Sequence, residues 1–268
     1  MNKLYESYIR KEMLPTLFCP GCGNGIIQGA AIRAIEKLNV RERLACVSGI
    51  GCSAYIPCYM DIDVIHFLHG RALSAATGLK LAAPEKKVLV FSGDGDMLAI
   101  GGNHFLHACM RNIDLTVIMI NNAIYGMTGG QKSPTTPKGA HTKTSPAGSW
   151  DTPIDCCALA EAAGATYIAR WTTAHPFDLE KAICEGLLHT GFSFIEVLSQ
   201  CPVQAGKGVF GGDHISILRY YRENTIRNTS DNLGETGKIQ IGTFRNQKDI
   251  PDYETCVRDC IIREANES

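Results

Sequence analysis

Short apolar runs alternate with amphipathic segments along most of the chain. Apolar runs of about four to eight residues between turn signals are typical of buried strands, whereas apolar residues at helical spacing indicate helices. We therefore predict strands at 44–47, 64–68, 87–91, 115–120, 166–169 and 193–198. We predict helices at 25–38, 72–83, 102–111, 155–163 and 176–189. This alternation predicts an α/β fold with a doubly wound parallel sheet.

Two segments depart from the alternation. Residues 126–152 are rich in Gly, Thr, Ser, Pro and Lys and are too long for an ordinary connection, which favours a functional loop. Beyond about residue 202 the chain is polar and contains glycine, with a weak helical pattern near 214–224. We therefore expect one domain over residues 1–205 and an extension over residues 206–268 that packs on a partner subunit.

Composition excludes several classes of protein. The 268 residues are 45% hydrophobic and 20% charged, which is ordinary for a globular protein. The net charge of −1 gives no reason to expect a nucleic-acid partner. No apolar run approaches the roughly 20 residues that span a membrane. The charged N-terminus lacks a signal-peptide core, so we expect a cytoplasmic protein without a membrane anchor.

Polar residues follow two of the predicted strands directly. Gly93-Asp94-Gly95-Asp96 ends the strand at 87–91, and Asn121-Asn122 ends the strand at 115–120. Ligands bind at the carboxyl ends of the strands in an open parallel sheet. Asp94 can offer a carboxylate, Asn122 an amide oxygen and Ile124 a backbone carbonyl, which are the oxygen ligands that Mg²⁺ prefers beside a phosphate. A lone GDG is a common turn, but the two elements together predict a magnesium–diphosphate site.

The chain has twelve cysteines, an unusual number. Cys46, Cys109, Cys156 and Cys157 lie in apolar segments and are expected to pack as small hydrophobic residues. Cys19 and Cys22 form a C-x-x-C motif, which fits a redox pair, half a zinc site or half an iron–sulfur site. Two further cysteines follow predicted strands in loops, at positions 52 and 201. Both belong to the same sheet edge as GDGD, so four thiolates could converge beside the diphosphate site.

The motifs together resemble a known family. GDG followed by Asn resembles the thiamine diphosphate enzymes. CPGCGN, GIGCS, HGRA, FSGDGD, NNAIYGMTGGQ and a late CP resemble the β subunit of the 2-oxoacid:ferredoxin oxidoreductases over roughly residues 15–205. The resemblance implies a diphosphate-type domain that binds thiamine diphosphate. It further implies Mg²⁺ held by Asp94, Asn122 and the Ile124 carbonyl, and one [4Fe–4S] cluster held by Cys19, Cys22, Cys52 and Cys201.

The same resemblance assigns further residues to the site. The residues expected to contact the cofactor are Ile50, Gly51, Cys52, Ser53, His69, Gly70, Gly95, Asp96, Gly126 and Met127. His69 and Arg71 are the candidate catalytic residues, facing the substrate or the diphosphate. The alternatives are a satisfied core histidine for His69 and, for Arg71, a role in capping its own neighbourhood or in contacting another subunit.

The implied reaction is the oxidative decarboxylation of a 2-oxoacid with coenzyme A, which yields acyl-CoA and CO2 and reduces ferredoxin. The GMTGGQ segment and the compact length favour 2-oxoglutarate, hence succinyl-CoA. Some family members have a lysine where this chain has Gly129, and that lysine could meet a substrate carboxylate. Its absence keeps pyruvate and branched-chain 2-oxoacids as alternatives.

The chain lacks the glutamate that activates the aminopyrimidine ring in thiamine enzymes, and it lacks a ferredoxin-like cysteine run. We therefore expect an α subunit that supplies a pyrimidine-binding domain with this glutamate, and γ and δ (ferredoxin-like) subunits. Two other classes compete: a non-redox thiamine diphosphate decarboxylase or ligase of the acetolactate synthase type, and a non-catalytic binding subunit. The four loop cysteines argue against the first class, and intact Asp94 and Asn122 argue against the second.

Overall fold

One large sheet organises the molecule. Within residues 3–229 and 237–267, which the computed structural model describes, eight strands form this sheet in the order β2-β1-β3-β4-β8-β7-β10-β9, and β5 and β6 form a separate hairpin. The strands are β1 Leu44–Ser48, β2 Asp63–His66, β3 Lys87–Gly93, β4 Thr116–Asn121, β5 Ile124–Tyr125, β6 Gln131–Lys132, β7 Tyr167–Thr172, β8 Ser193–Leu198, β9 Thr225–Arg227 and β10 Ile239–Asn246.

The sheet is mostly parallel. Parallel ladders join β2 to β1, β1 to β3, β3 to β4, β4 to β8 and β8 to β7. β10 runs antiparallel to β7, and β9 pairs in parallel with β10. The predicted α/β class with a parallel sheet is therefore confirmed, and an antiparallel strand extends it.

Helices cover both faces of this sheet. They are α1 Lys3–Tyr8, α2 Asn24–Leu38, α3 Tyr55–Cys58, α4 Ala72–Ala82, α5 Gly102–Met110, α6 Cys156–Ala162, α7 Pro176–Leu188, α8 Ala205–Gly208, α9 His214–Glu223 and α10 Tyr253–Glu267. One hydrophobic core lies between the sheet and the face covered by α2 and α7, and the other lies under α4, α5 and α6. This two-sided arrangement is the doubly wound topology that the alternating pattern predicts.

Burial explains why the sequences of the central strands are mainly apolar. Every residue of β1 and of β4 is buried, because helices exclude water from both faces of a doubly wound sheet. Phe91 and Ile118 point into the core under α2 and α7, while Val90 and Val117 point into the opposite core.

The four cysteines expected to pack in the interior are buried as predicted. They are Cys46, Cys109, Cys156 and Cys157. None of the twelve cysteines, all within the described residues, forms a disulfide.

The C-terminal segment contributes more structure than its sequence suggests. The weak helical pattern near 214–224 corresponds to α9, but β9, β10 and α10 were not predicted. Gly242 of β10 pairs with Arg170 of β7, so the sheet continues past the expected domain boundary at residue 205. Packing of residues 206–268 on a partner subunit stays a prediction. None of the helices in the described residues is long and apolar enough to cross a membrane.

Candidate active site

The carboxyl ends of β1, β3 and β4 meet at one edge of the sheet and enclose a cleft, here called the Asp94 cleft. Parallel strands direct their carboxyl ends to the same edge, so the turns that follow them become neighbours. The cleft is lined by Ile50, Gly51, Cys52, Ser53, His69, Gly93, Asp94, Gly95, Asp96, Ile120, Asn122, Ile124, Tyr125, Gly126, Met127 and Thr128. The three expected magnesium ligands therefore lie on a single surface.

Asp94 is a buried carboxylate at the base of this cleft, with 2% of its surface exposed. The Thr135 hydroxyl donates to Asp94 Oδ2 at 2.5 Å. Burial raises the pKa of Asp94 to about 6, while hydrogen bonds from Ser133 and Thr135 oppose the rise. The group is thus desolvated, an environment in which a bound cation would favour its ionised form.

The second part of the expected magnesium site is a tight turn after β4. Asn122 Oδ1 accepts a hydrogen bond from the Ile124 amide at 3.2 Å. Between them Ala123 adopts a positive φ of 61°, which L-residues rarely occupy. The strained turn places Asn122 and Ile124 together on the cleft wall.

Asp96 ties together three of the turns around the cleft. Its Oδ1 accepts hydrogen bonds from the Gly70 amide at 2.7 Å, from the Ile50 amide at 3.3 Å and from His69 Nδ1. Its Oδ2 accepts a hydrogen bond from the Ser92 hydroxyl at 2.6 Å. Asp96 lines the cleft, as expected of a cofactor-contacting residue, but its carboxylate is engaged in holding the walls together.

Close packing against the Asp96 carboxylate explains why position 49 is a glycine. A Cβ on Gly49 would lie 2.0 Å from Asp96 Oδ2, so no larger residue fits there. Asp96 itself begins a single π-helical turn, Asp96–Ile100, a feature frequent at functional sites.

The predicted His-Gly-Arg segment divides between the cleft and its surroundings. His69 is half-buried, lines the cleft and packs edge-on against Tyr125 with ring centroids 6.3 Å apart. The described residues that line the cleft include neither Gly70 nor Arg71. The Arg71 guanidinium donates to the carbonyls of Gly70 and Ile100. The catalytic role of Arg71 stays a prediction.

The segment His69-Gly70-Arg71 also lies further from the end of β2 than predicted. The strand expected at 64–68 ends at His66, and Phe67 and Leu68 extend beyond it as exposed apolar residues.

The four loop cysteines line a second cavity of about 330 Å³, here called the cysteine cavity. It is formed by Leu17, Phe18, Cys19, Cys22, Cys52, Tyr55, Asn122, Gly126, Met127, Cys201, Pro202, Val203 and Gln204. The structure thus brings together the four cysteines that the resemblance assigns to a cluster.

The C-x-x-C turn is held in place by its backbone. The Cys22 amide donates to the Cys19 carbonyl at 2.9 Å, and Gly21 between them has a φ of 79°, which glycine adopts freely. A Cβ on Gly21 would lie 2.3 Å from the His214 ring. The first residue of α9 therefore packs directly on this turn, which connects the C-terminal segment to the cysteine cavity.

The thiols of the cysteine cavity influence one another. Burial, together with the thiols of Cys201, Cys52 and Cys19, raises the pKa of Cys22 to about 12, and a hydrogen bond from the Asn24 amide opposes the rise. Burial also raises the pKa of Cys52, with further contributions from Cys201 and Cys19. Four thiolates close together are unstable unless a cationic centre neutralises them.

The two cavities share a wall. Four residues line both of them: Cys52, Asn122, Gly126 and Met127. A Cβ on Gly126 would lie 3.4 Å from the Cys201 sulfur and 3.9 Å from the Cys52 sulfur. Only a thin layer of backbone and side chain therefore separates the expected cofactor from the expected cluster.

Sequence reasoning missed several residues that build the cleft. Thr135 and Ser133 belong to the loop 126–152, which was predicted to be functional although no residue within it was matched to Asp94. Tyr125 donates its hydroxyl to the Gly95 carbonyl at 3.0 Å, and its ring is 2.3 Å from where a Gly95 Cβ would lie. The length and position of the loop 126–152 were the features of the sequence that could have pointed to Ser133 and Thr135.

Comparison with known proteins agrees with this geometry. Residues 49–197 match the family described as thiamine pyrophosphate enzyme, C-terminal TPP binding domain. The 2-oxoglutarate synthase subunit KorB of Methanocaldococcus jannaschii is 52% identical over 88% of this chain and 90% of its own length. The subunit of the same name from Archaeoglobus fulgidus is 50% identical over 92% of this chain and 91% of its own length.

A solved structure shares the fold over nearly the whole chain. It is 2-oxoglutarate:ferredoxin oxidoreductase from Magnetococcus marinus with 2-oxoglutarate, coenzyme A and succinyl-CoA bound. Its TM-score is 0.88 at 30% identity, covering 97% of this chain and 90% of that one. The fold and the Asp94 cleft thus define a thiamine diphosphate-binding domain. The chain belongs to the 2-oxoacid:ferredoxin oxidoreductase family, as a β subunit of the 2-oxoglutarate synthase type.

Proposed function

We propose that this subunit binds thiamine diphosphate, Mg²⁺ and one [4Fe–4S] cluster in an enzyme that converts 2-oxoglutarate and coenzyme A to succinyl-CoA and CO2 while reducing ferredoxin. The observation that carries the proposal is the common wall of the Asp94 cleft and the cysteine cavity, formed in part by Cys52 and Gly126. A cofactor in the cleft would therefore lie beside an electron acceptor. The bound ligands of the Magnetococcus marinus structure support the choice of substrate and products.

The donors of the Asp94 cleft fit a magnesium–diphosphate group. Asp94 supplies a buried carboxylate, Asn122 an amide oxygen and Ile124 a carbonyl from the same wall. These are hard oxygen donors of the kind that Mg²⁺ shares with phosphate. When bound, thiamine diphosphate supplies the electron sink for decarboxylation. In this arrangement the chain orients the diphosphate through the ion. The turn at Gly51 leaves room for the cofactor, because no atom of the described residues beyond its two chain neighbours lies within 4 Å of the position that a Cβ would take there.

The cysteine cavity fits a cluster better than a single metal ion. A zinc ion would draw three or four thiolates to about 2.3 Å from one centre. No group of three or more His, Cys, Asp or Glu side chains in the described residues is arranged to hold one ion. A cubane distributes four cysteine ligands over four iron atoms, so their sulfurs lie further apart. Cys19, Cys22, Cys52 and Cys201 line one cavity, so together they supply the four thiolates that a cubane needs.

Partner subunits complete the active site in this proposal. The activating glutamate comes from an α subunit, and electrons leave through γ and δ subunits or directly to ferredoxin. Phe67, Leu68 and Ile100 are exposed large apolar residues, and the first two precede His69 of the cleft. Such a surface supports docking of another subunit over the cleft. The free thiols, without disulfides, support the cytoplasm as the compartment.

A lysine near the cleft supports 2-oxoglutarate as the substrate. The Lys143 ammonium lies 3.3 Å from the position that a Cβ on Gly129 would take. Gly129 follows Thr128, which lines the cleft. Lys143 thus offers a cation near the position where some family members carry a lysine, and a cation there suits the distal carboxylate that pyruvate lacks. We expect Lys143→Met to raise KM for 2-oxoglutarate without changing KM for pyruvate.

The decisive experiment is co-expression with the partner subunits and anaerobic assay of viologen reduction with several 2-oxoacids and coenzyme A. The proposal predicts the highest kcat/KM for 2-oxoglutarate. Preference for pyruvate or branched-chain 2-oxoacids would refute the substrate assignment. Decarboxylation without viologen reduction would favour the non-redox alternative, and an assembly that neither binds thiamine diphosphate nor turns over would favour a non-catalytic subunit.

A further inference from the structure

A chain of hydrogen bonds leads from the Asp94 carboxylate into the interior of the sheet. The Thr135 hydroxyl, which donates to Asp94 Oδ2 at 2.5 Å, also lies 2.9 Å from Asn121 Oδ1. The Asn121 amide nitrogen donates to Glu196 Oε1 at 2.7 Å. Thr135, Asn121 and Glu196 are all buried. The proposed chemistry uses none of these three side chains directly, so their arrangement calls for a separate explanation.

Glu196 is the fixed end of this chain. It faces Arg170 across the parallel ladder between β7 and β8, and Arg170 Nε donates to Glu196 Oε2 at 2.6 Å. The same guanidinium donates through Nη2 to Asp155 Oδ1 at 2.6 Å. A guanidinium held by two carboxylates has little freedom to rotate, because its donors form a rigid planar fork. Glu196 is therefore held in one orientation.

Glu196 in turn fixes the orientation of the Asn121 side chain. An ionised carboxylate only accepts hydrogen bonds, so Asn121 must present its nitrogen to Glu196 and its oxygen to the other side. There Asn121 Oδ1 accepts a hydrogen bond from the Ala123 amide at 3.1 Å and faces the Thr135 hydroxyl. The orientation of Asn121 therefore places a second acceptor beside Thr135.

Thr135 has a single hydroxyl proton and two acceptors. The charged acceptor makes the stronger bond, which agrees with the shorter distance to Asp94 Oδ2. Ser133 Oγ lies 3.2 Å from Thr135 Oγ1 and adds a neighbour on the loop side. The Thr135 hydroxyl thus holds one oxygen of the Asp94 carboxylate and defines the rotation of that group in the cleft.

We propose that Thr135 is a positioning residue for the metal ligand Asp94, and that Asn121 and Glu196 position Thr135. The inference rests on the proposed function, because it takes Asp94 as a ligand of Mg²⁺. Thr135 acts before the ion arrives: it orients the carboxylate so that magnesium binding does not have to order it. Partners that orient metal ligands typically change metal affinity about 10–100-fold when removed.

The test is the apparent dissociation constant for Mg²⁺ of the assembled enzyme at saturating thiamine diphosphate, measured by calorimetric titration. Thr135→Val removes the hydroxyl at nearly constant volume, and we expect the dissociation constant to rise about tenfold. Thr135→Ser restores the hydroxyl and should bind Mg²⁺ nearly as the wild type does. Glu196→Gln, which can present either end of its amide to Asn121, should weaken binding by less than Thr135→Val.

Thr116→Val is the matched control, since Thr116 is a buried threonine at the other end of β4 that donates to the Gly186 carbonyl at 2.9 Å. It should leave the Mg²⁺ dissociation constant unchanged. A kinetic readout separates positioning from general damage: in Thr135→Val, kcat should return towards the wild-type value at saturating Mg²⁺. If Thr135→Val does not fold, Thr135→Ala replaces it under the same criterion.

Each outcome decides one question. Wild-type affinity in Thr135→Val, or equal losses in Thr135→Val and Thr135→Ser, would overturn the positioning role. An equal loss in Thr116→Val would show that any buried threonine matters and would also overturn it. Wild-type enzyme that binds thiamine diphosphate without any dependence on Mg²⁺ would instead refute the metal site of the proposed function.

Discussion

The Asp94 cleft and the cysteine cavity are neighbours, yet they are built differently. In the cleft, buried carboxylates already have protein donors: Thr135 on Asp94, and Ser92 and the Gly70 amide on Asp96. In the cysteine cavity, burial raises the pKa values of Cys22 and Cys52, and the neighbouring thiols raise them further. The cleft is therefore ordered by the protein, whereas the thiolates require bound metal to become stable. Substitutions should accordingly affect the two sites in different ways.

The largest effect is expected in the cysteine cavity. Anaerobically purified wild-type chain should contain about four iron and four sulfide per chain, the content of a cubane. Cys52→Ala should lose nearly all of this iron because a ligand from the common wall is missing. Cys109→Ala, which removes a buried thiol far from the cavity, should keep it. Equal iron in the two variants would disprove the ligand assignment.

In the Asp94 cleft, Asp94→Asn should weaken Mg²⁺-dependent binding of thiamine diphosphate by more than about 100-fold, since loss of an orienting partner alone costs about 10–100-fold. The iron content should not change, because Asp94 does not line the cysteine cavity. Equilibrium dialysis and iron analysis measure the two properties on one sample. Asp61→Asn, at an exposed aspartate, is the control. Loss of iron together with cofactor would show that the two cavities are not independent.

Asp96→Asn tests whether the cleft is ordered by the protein before any ligand binds. Replacing the carboxylate by an amide directs an NH2 group at donors such as the Gly70 amide and the Ser92 hydroxyl. We expect the free energy of unfolding to fall by about 1.5–3 kcal/mol without added cofactor, the usual contribution of hydrogen bonds to a charged group. Urea denaturation of the metal-free chain measures it. A loss seen only with bound cofactor would contradict a preformed cleft.

A carboxylate outside both cavities sharpens the contrast: Glu254 is half-buried next to Asp252 and Lys80, and it lacks the donors found in the cleft. Among the described residues, neither oxygen of Glu254 has a hydrogen-bond partner. Burial, and then Asp252, raise the pKa of Glu254 from 4.5 to about 7, whereas Lys80 opposes the rise. A raised pKa in the folded state stabilises the fold below the unfolded-state value, and this contribution is lost as the pH rises through the folded-state value.

The free energy of unfolding should therefore decrease between about pH 4.5 and pH 7 by about 1 kcal/mol, after allowance for solvent screening of a half-buried group. Glu254→Gln should flatten the profile in this range. Urea denaturation at a series of pH values measures both proteins. An unchanged slope in Glu254→Gln would assign the pH dependence to other groups.

The sequence predicts those parts of the molecule that depend on local pattern. Burial on both faces makes the central residues of β1, β3 and β4 apolar. The carboxyl ends of these strands, and the position of Asp94 and Asn122 on one edge, therefore follow from topology. Contacts that join distant segments have no such signature. The bond between Thr135 and Asp94 spans 41 positions, and β10 pairs with β7 through a ladder that leaves no strong alternation in its sequence.

Arg71 is a residue whose sequence context suggests a role that its contacts in the structure do not show. An arginine that follows a strand end favours binding of a carboxylate or phosphate. In this structure the guanidinium donates to the Ile100 carbonyl at 3.1 Å. Only the path of the π-helical turn at Asp96–Ile100 reveals that contact.

The central claim is that electrons pass from the Asp94 cleft across the common wall to a cluster held by four cysteines. Its most direct test is electron paramagnetic resonance of the anaerobic assembled enzyme, frozen after mixing with 2-oxoglutarate and coenzyme A. The wild type should develop the signal of a reduced [4Fe–4S] cluster, and Cys52→Ala should lose the part of the signal that belongs to this subunit. The same signal in Cys52→Ala and in the wild type would contradict the account.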